Sequence, residues 1–252
     1  MKKLNILTVN YESKEFIINL IKKIDNEGIP YDFIIVNNSN ESFDNITADN
    51  DKVIVIKNNL KIKNACLSHV SGLNLGLSNL NFNNKYTLIC DPDISFSKNT
   101  VVDMINYMKN RDIDVMGISK ITKKGNVLKY PYIWFTLIKT KYLQDFYFLY
   151  LPIKNNILIK AIRKLCRITG ILPNIEDSGD SIYELIRDKH LKYYSIKPIK
   201  KEKLPKKYSF LKDINSIEYV WEGHIISHFN CGSKSRYSRI HKENDKDIFF
   251  RI

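Results

Sequence analysis

No run of apolar residues is long enough to cross a membrane as a helix. The longest clean run covers residues 146–153, far short of the ~20 residues a span needs. The opening residues set Lys2 and Lys3 before an apolar stretch. That stretch is short, is broken by Asn5 and Thr8, and lacks a small-residue cleavage site, so it reads as a first strand and not as a secretion signal. Cysteine is sparse: Cys66, Cys90, Cys166 and Cys231 are widely scattered without metal-type spacing, which fits a reduced, cytoplasmic compartment. Zinc-ligand spacing, a helix-turn-helix pattern and an aromatic RNA-binding signature are all missing, so nucleic acid is not an expected partner. Internal repeats and low-complexity tracts are missing too. No glycine-rich basic loop follows the first apolar run, which argues against a triphosphate cradle and a nucleotidyl transfer.

What is present suits a folded, soluble core. The chain has 252 residues, 44% of them hydrophobic, 27% charged and 12% aromatic, enough to bury a sizeable interior and too apolar for disorder. The net charge of +13 is uneven: residues 1–100 hold 11 basic and 11 acidic side chains, and residues 101–252 hold the other 29 and 16. The second part therefore faces something anionic, with a membrane surface or a phosphorylated substrate favoured over nucleic acid.

Residues 85–96 organise the rest. The apolar run 86–90 has the composition of a central strand in a parallel sheet, and it runs straight into Asp91-Pro92-Asp93. Ligands of open α/β sheets bind beyond the carboxyl ends of strands. Two carboxylates this close repel one another unless a cation joins them, and Mg²⁺ or Mn²⁺ shared with substrate phosphates would do so. A solvated turn with Asp91 capping the next helix is the plain alternative. Around this stretch the pattern predicts strands at 4–9, 33–36, 53–56, 114–118 and 132–138. Helices are predicted after an N-cap at Ser13 with a stop at Gly28 and Pro30, over 65–80 and over 99–109, with a hairpin turn at 123–126. That order predicts an α/β fold with a nucleotide-binding, mostly parallel sheet flanked by helices.

Several segments together resemble bacterial glycosyltransferases of family two, with the GT-A fold, and rhamnosyltransferase-like members above all. They are Thr8-Val9-Asn10-Tyr11-Glu12, Ile34-Ile35-Val36-Asn37-Asn38-Ser39, Gly72-Leu73-Asn74-Leu75-Gly76-Leu77, Asp91-Pro92-Asp93 and Met116-Gly117-Ile118-Ser119-Lys120-Ile121. Later islands are Glu176-Asp177 with Asp180, and His228-Phe229-Asn230-Cys231-Gly232-Ser233. The likeness is continuous over the first 140 residues, taken as a nucleotide-sugar-binding core. Residues 141–252 are taken as the acceptor-side part of the same domain with basic, helical additions. The resemblance implies that Thr8, Asn10, Tyr11, Glu12, Asn37 and Asn38 hold the nucleotide, with Asp91 on the ribose. Asp93, Asp91 and His228 would hold Mn²⁺ or Mg²⁺. It also implies a UDP-, dTDP- or GDP-sugar donor, a glycan or lipid-linked acceptor, inversion, and work at the inner face of the plasma membrane. His228 equally suits an ordinary core or surface histidine. A catalytically inactive, membrane-associated binding module is the reading from another class.

Glu176 and Asp177 are the acid–base candidates, because sugar transfer needs a carboxylate to take the acceptor's proton; capping of the helix that follows is the competing role. The chain departs from the family at Asn37, where aspartate is common, at Lys61, at Trp134-Phe135-Thr136, and in insertions at about 145–172 and 190–217. Residues 151–172 form an amphipathic basic pattern behind the aromatic group Phe146, Tyr147, Phe148 and Tyr150. It suits either a membrane interface or a helix packed on the sheet. Residues 197–207 read as an exposed linker or a phosphate-binding loop.

Overall fold

A computed structural model describes residues 3–60, 62–122, 125–149, 179–229 and 244–252. Strands β1 (Leu4–Asn10), β2 (Tyr31–Asn37), β3 (Val53–Lys57), β4 (Tyr86–Cys90), β6 (Val115–Ile118), β7 (Phe135–Lys139) and β8 (Tyr193–Ile196) form a seven-stranded sheet in the order β3-β2-β1-β4-β7-β6-β8. All adjacent pairs are parallel except those of β7, which runs against both β4 and β6. The fold is thus α/β with a mostly parallel sheet flanked by helices, as the sequence predicts. Every residue of β1 and β4 is buried, the condition of strands covered on both faces.

Helices α1 (Lys14–Asp25) and α4 (Thr100–Arg111) cover one face. Ile17, Leu20, Ile24, Met104 and Met108 there pack on Ile6, Phe33, Ile35 and Leu88. Helices α3 (Ala65–Leu77) and α5 (Asp180–Asp188) cover the other, where Leu73, Leu77, Ile182 and Ile186 belong to one apolar cluster with Leu7, Val9, Ile34, Val115 and Ile138. A short helix α2 (Asp44–Asp49) links β2 to β3. The chain leaves β1 toward β2 and β3 and returns to β4 on β1's other side, which opens a crevice beyond the carboxyl ends of β1 and β4. Gly72 and Gly76 let α3 lie close on β1: a Cβ on Gly72 would stand 2.7 Å from Val9 Cγ1, and one on Gly76 would collide with Leu7. That closeness sets the first turn of α3 over the crevice.

A second sheet was not legible in the sequence. Strands β5 (Ile94–Phe96), β11 (His224–His228), β10 (Ile217–Trp221) and β9 (Pro198–Ile199) pair antiparallel in that order. Under it, Phe16, Leu211, Ile225, Phe229 and Phe249 form a separate apolar cluster, with Phe249 supplied by α6 (Asp245–Phe249).

Four local expectations need correction. Ser13 precedes α1 but makes no side-chain cap bond, because its hydroxyl turns back to Asn10 Oδ1 and the Tyr11 carbonyl. The strand expected at 132–138 begins only at Phe135, since the Phe135 N–H closes a turn onto the Tyr132 carbonyl. Asp91 caps no helix, for β5 intervenes before α4. The stretch 197–207 is not a loose linker: it holds β9, a short 3₁₀ turn at Lys201–Lys203 and the start of a second at Lys206–Leu211. There the Lys201 ammonium donates to the Leu211 and Ile214 carbonyls and pairs with the buried Glu218. Burial lowers the Lys201 pKa and raises that of Glu218, the charge of each partner opposing the shift.

Gly117 is where the packing of the main sheet is least forgiving. It lies opposite Thr136 on β7, and a Cβ there would collide with the Phe135 carbonyl oxygen and stand 2.6 Å from Thr136 Oγ1. Those are backbone and buried neighbours that cannot swing away. Gly117→Ala is expected to cost ~1–3 kcal/mol, read as a lowered urea midpoint; an unchanged midpoint would mean that β6 and β7 have room to part.

Candidate functional site

The crevice has a volume of about 350 Å³ and lies between the first turn of α3 and the segment that follows β4. On one wall are Lys63, Ala65, Ser68 and His69; on the other are Asp91, Pro92 and Asp93; Val9, Tyr11 and Asn38 line its floor and rim. The Asp91 N–H donates to the Trp134 carbonyl at 2.9 Å, and the Asp93 carbonyl accepts from the Phe229 N–H at 3.0 Å. These bonds fix the two carboxylates between β7 and the end of β11.

The register of β11 against β5 puts His228 opposite Ile94, next to Asp93. Its Nε2 lies 3.3 Å from Asp93 Oδ1 and 3.9 Å from Asp91 Oδ2. One ligand atom from each of Asp91, Asp93 and His228 falls within 4.8 Å of the others. Asp93 and His228 are 2% and 3% exposed. The Trp134 ring packs on the His228 imidazole at a centroid distance of 4.4 Å. A buried carboxylate beside a second one favours a bound cation. Two hard oxygens suit Mg²⁺ and Mn²⁺, and the nitrogen is tolerated better by a first-row transition ion. The residues therefore fit such an ion. Cys90 is no competitor for it: burial first, then the charge of Asp91, pushes its thiol up and keeps it protonated.

The nucleotide candidates fall into two groups. Tyr11, 51% exposed, and Asn38 line the crevice, and Glu12 is exposed beside them with a left-handed backbone (φ 55). Thr8, Asn10 and Asn37 are buried beneath the surface. Asn10 Nδ2 donates to Asn37 Oδ1, Ser39 Oγ and Glu41 Oε2 at 3.0, 2.9 and 2.9 Å, so these amides lock the ends of β1 and β2 together. Thr8 sits in mid-strand opposite Ile35. Asn38 is held by Ser68 and Asn58, which leaves it at the junction of β2 and α3.

His69 was missed by sequence reasoning. Its Nε2 lies 3.8 Å from Asp91 Oδ1, on the opposite side of that carboxylate from His228. The only signal available was a histidine in the first turns of a helix that starts near the crevice, a weak one. Glu176 and Asp177 lie outside the described residues, as do residues 150–178 as a whole. Beyond them, a Cβ on Gly179 would run into the Tyr132 ring, and Tyr130 donates to Asp180. Burial foremost, with the charge of Asp180 next, pushes the Tyr130 hydroxyl up. Of the aromatic group before the basic pattern, Phe148 is core, Phe146 is half-buried and Tyr147 is exposed. No helix among the described residues is long and apolar enough to cross a membrane.

No protein-family model and no curated protein matches the chain. Among solved structures it is similar to TarS from S. aureus (residues 1–349), with a TM-score of 0.45 and 16% identity over 58% of this chain and 50% of that one. A structure of the same protein in complex with UDP-GlcNAc gives 0.45, 16%, 58% and 48%. It is also similar to 4-diphosphocytidyl-2C-methyl-D-erythritol synthase from Anaerococcus prevotii, with a TM-score of 0.46 and 11% identity over 78% and 87% of the two chains. The chain thus spans about half the length of the TarS segment it matches.

Proposed function

We propose that this chain is a metal-dependent glycosyltransferase that moves a sugar from a nucleotide-sugar donor to a cell-surface glycan or lipid-linked acceptor, with inversion. The observation that carries the reading is the convergence of Asp91, Asp93 and His228 beside the switch-point crevice. The ordered family-two motifs of the sequence add to it. A bound Mg²⁺ or Mn²⁺ would neutralise the diphosphate of the donor as it leaves. Tyr11 offers its exposed ring to the base, Asn38 shapes the base side, and Asp91 meets the ribose. Thr8, Asn10 and Asn37 set the form of that floor, and Glu12 closes its rim. Asp177, or Glu176 beside it, takes the proton of the acceptor hydroxyl. The connection from β1 to α1 is only Tyr11-Glu12-Ser13, with no glycine to cradle a triphosphate, which disfavours nucleotidyl transfer. The basic stretch at 151–172 would meet an anionic lipid or glycan.

Metal removal separates this from an inert binding module. Donor hydrolysis with UDP-, GDP- and dTDP-sugars should fall to background in EDTA and return on titration with Mn²⁺. Hydrolysis that ignores EDTA, or none with any donor at any metal concentration, would sink the proposal.

A further inference from the structure

Asp91 stands between two histidines, and its two oxygens face different ones. Oδ2 is 3.9 Å from His228 Nε2, on the side of Asp93; Oδ1 is 3.8 Å from His69 Nε2, on the side of α3. The carboxylate can therefore serve the cation with one oxygen and keep the other for a second ligand. His69 and Asp91 both line the crevice, and each side chain is partly exposed, 27% and 21%.

A nucleoside diphosphate laid along this crevice has one workable order. Its phosphates belong at Asp93 and His228, and its base belongs at the exposed Tyr11 ring and Asn38. The pentose then lies over Asp91 and His69. In a ribose the 2′-hydroxyl is on the carbon next to the base, and the 3′-hydroxyl is on the side leading to the phosphates. Asp91, which reaches toward the cation, faces the 3′-hydroxyl and accepts a hydrogen bond from it; His69, away from the cation, faces the 2′-hydroxyl. We infer that His69 is a donor-binding residue that recognises the ribose 2′-hydroxyl, so that the donor is a ribonucleoside diphosphate sugar and its 2′-deoxy counterpart is rejected. This rests on the nucleotide-sugar reading above and narrows it, removing dTDP-sugars.

The test is isothermal titration of the full chain, with Mn²⁺ present, against UDP, GDP, ADP and CDP and the 2′-deoxy form of each. The nucleotide that binds is expected to do so at least ~10-fold more tightly as the ribo form, the worth of about one net hydrogen bond. His69→Ala should shrink that ratio to about 2-fold while the 2′-deoxy form still binds, and the retained binding reports that the variant is folded. His69→Gln, whose amide nitrogen reaches near the place of Nε2, should recover part of the ratio. Equal binding of the ribo and deoxy forms by the parent overturns the inference and leaves the donor-site reading standing. A ratio that survives in His69→Ala removes His69 from the recognition. Failure of all eight nucleotides to bind the parent overturns both.

Discussion

Asp93→Ala is expected to abolish Mn²⁺-dependent nucleotide binding and leave a cooperatively folded protein. Asp93 brings the closest oxygen to His228 and is almost wholly buried, so no water-exposed group can take its place. Loss of a hydrogen-bonding partner one shell out from a metal typically costs 10–100-fold in affinity. Removal of a ligand itself should cost at least ~100-fold on the same scale. The fold survives because the bonds that place the segment are made by its backbone, through the Asp93 carbonyl and the pairing of β5 with β11. Titration of Mn²⁺ with and without nucleotide, beside a thermal melt, reads both halves of the expectation. Parent-like affinity for Mn²⁺ and nucleotide in the variant would mean that the convergence of Asp91, Asp93 and His228 is structural. His228→Ala serves as the milder companion, since it leaves both carboxylates in place.

The second large effect is kinetic. Asp177→Asn keeps the size of the side chain and removes its basic oxygen, so transfer to an acceptor should slow by ~10²–10⁴-fold. Donor affinity should barely change, because the group acts on the acceptor and not on the nucleotide. The companion Glu176→Gln is expected to be mild if that carboxylate only orients or caps. The roles exchange if the loss appears at Glu176 with Asp177→Asn nearly unaffected. Full transfer activity in both variants would take the pair out of the chemistry and direct attention to Asp180, which opens α5 and accepts from Tyr130.

Both expectations begin in sequence features, but they were legible to different depths. The strand at 86–90 was read to the residue, and β1, β2, β3 and α3 to within a few. Continuous Val, Ile and Leu runs with polar ends have few alternatives in a sheet covered on both faces. The glycines at 72, 76 and 117 were noticed as motif members. Their reason is steric and appears only when Val9, Leu7 and Phe135 come against them.

The primary sequence by itself determined an α/β core, its strand order through β4 with helices α1 and α3 but not the short α2, and the pair of carboxylates at a strand's carboxyl end. These are local matters: periodicity, breakers, and which residues follow a buried run. Tertiary structure decided the second sheet, because its strands are short and the local hairpin of β10 and β11 becomes part of a larger sheet only by pairing with β5, remote in the chain, and with β9. That pairing carries His228 across 135 positions to Asp93. The same structure turned Asn10 and Asn37 inward to hold β1 to β2, and it brought His69 to the far side of Asp91 by seating α3 on two glycines. No local pattern specifies such meetings, because they depend on the distance and angle between elements already formed.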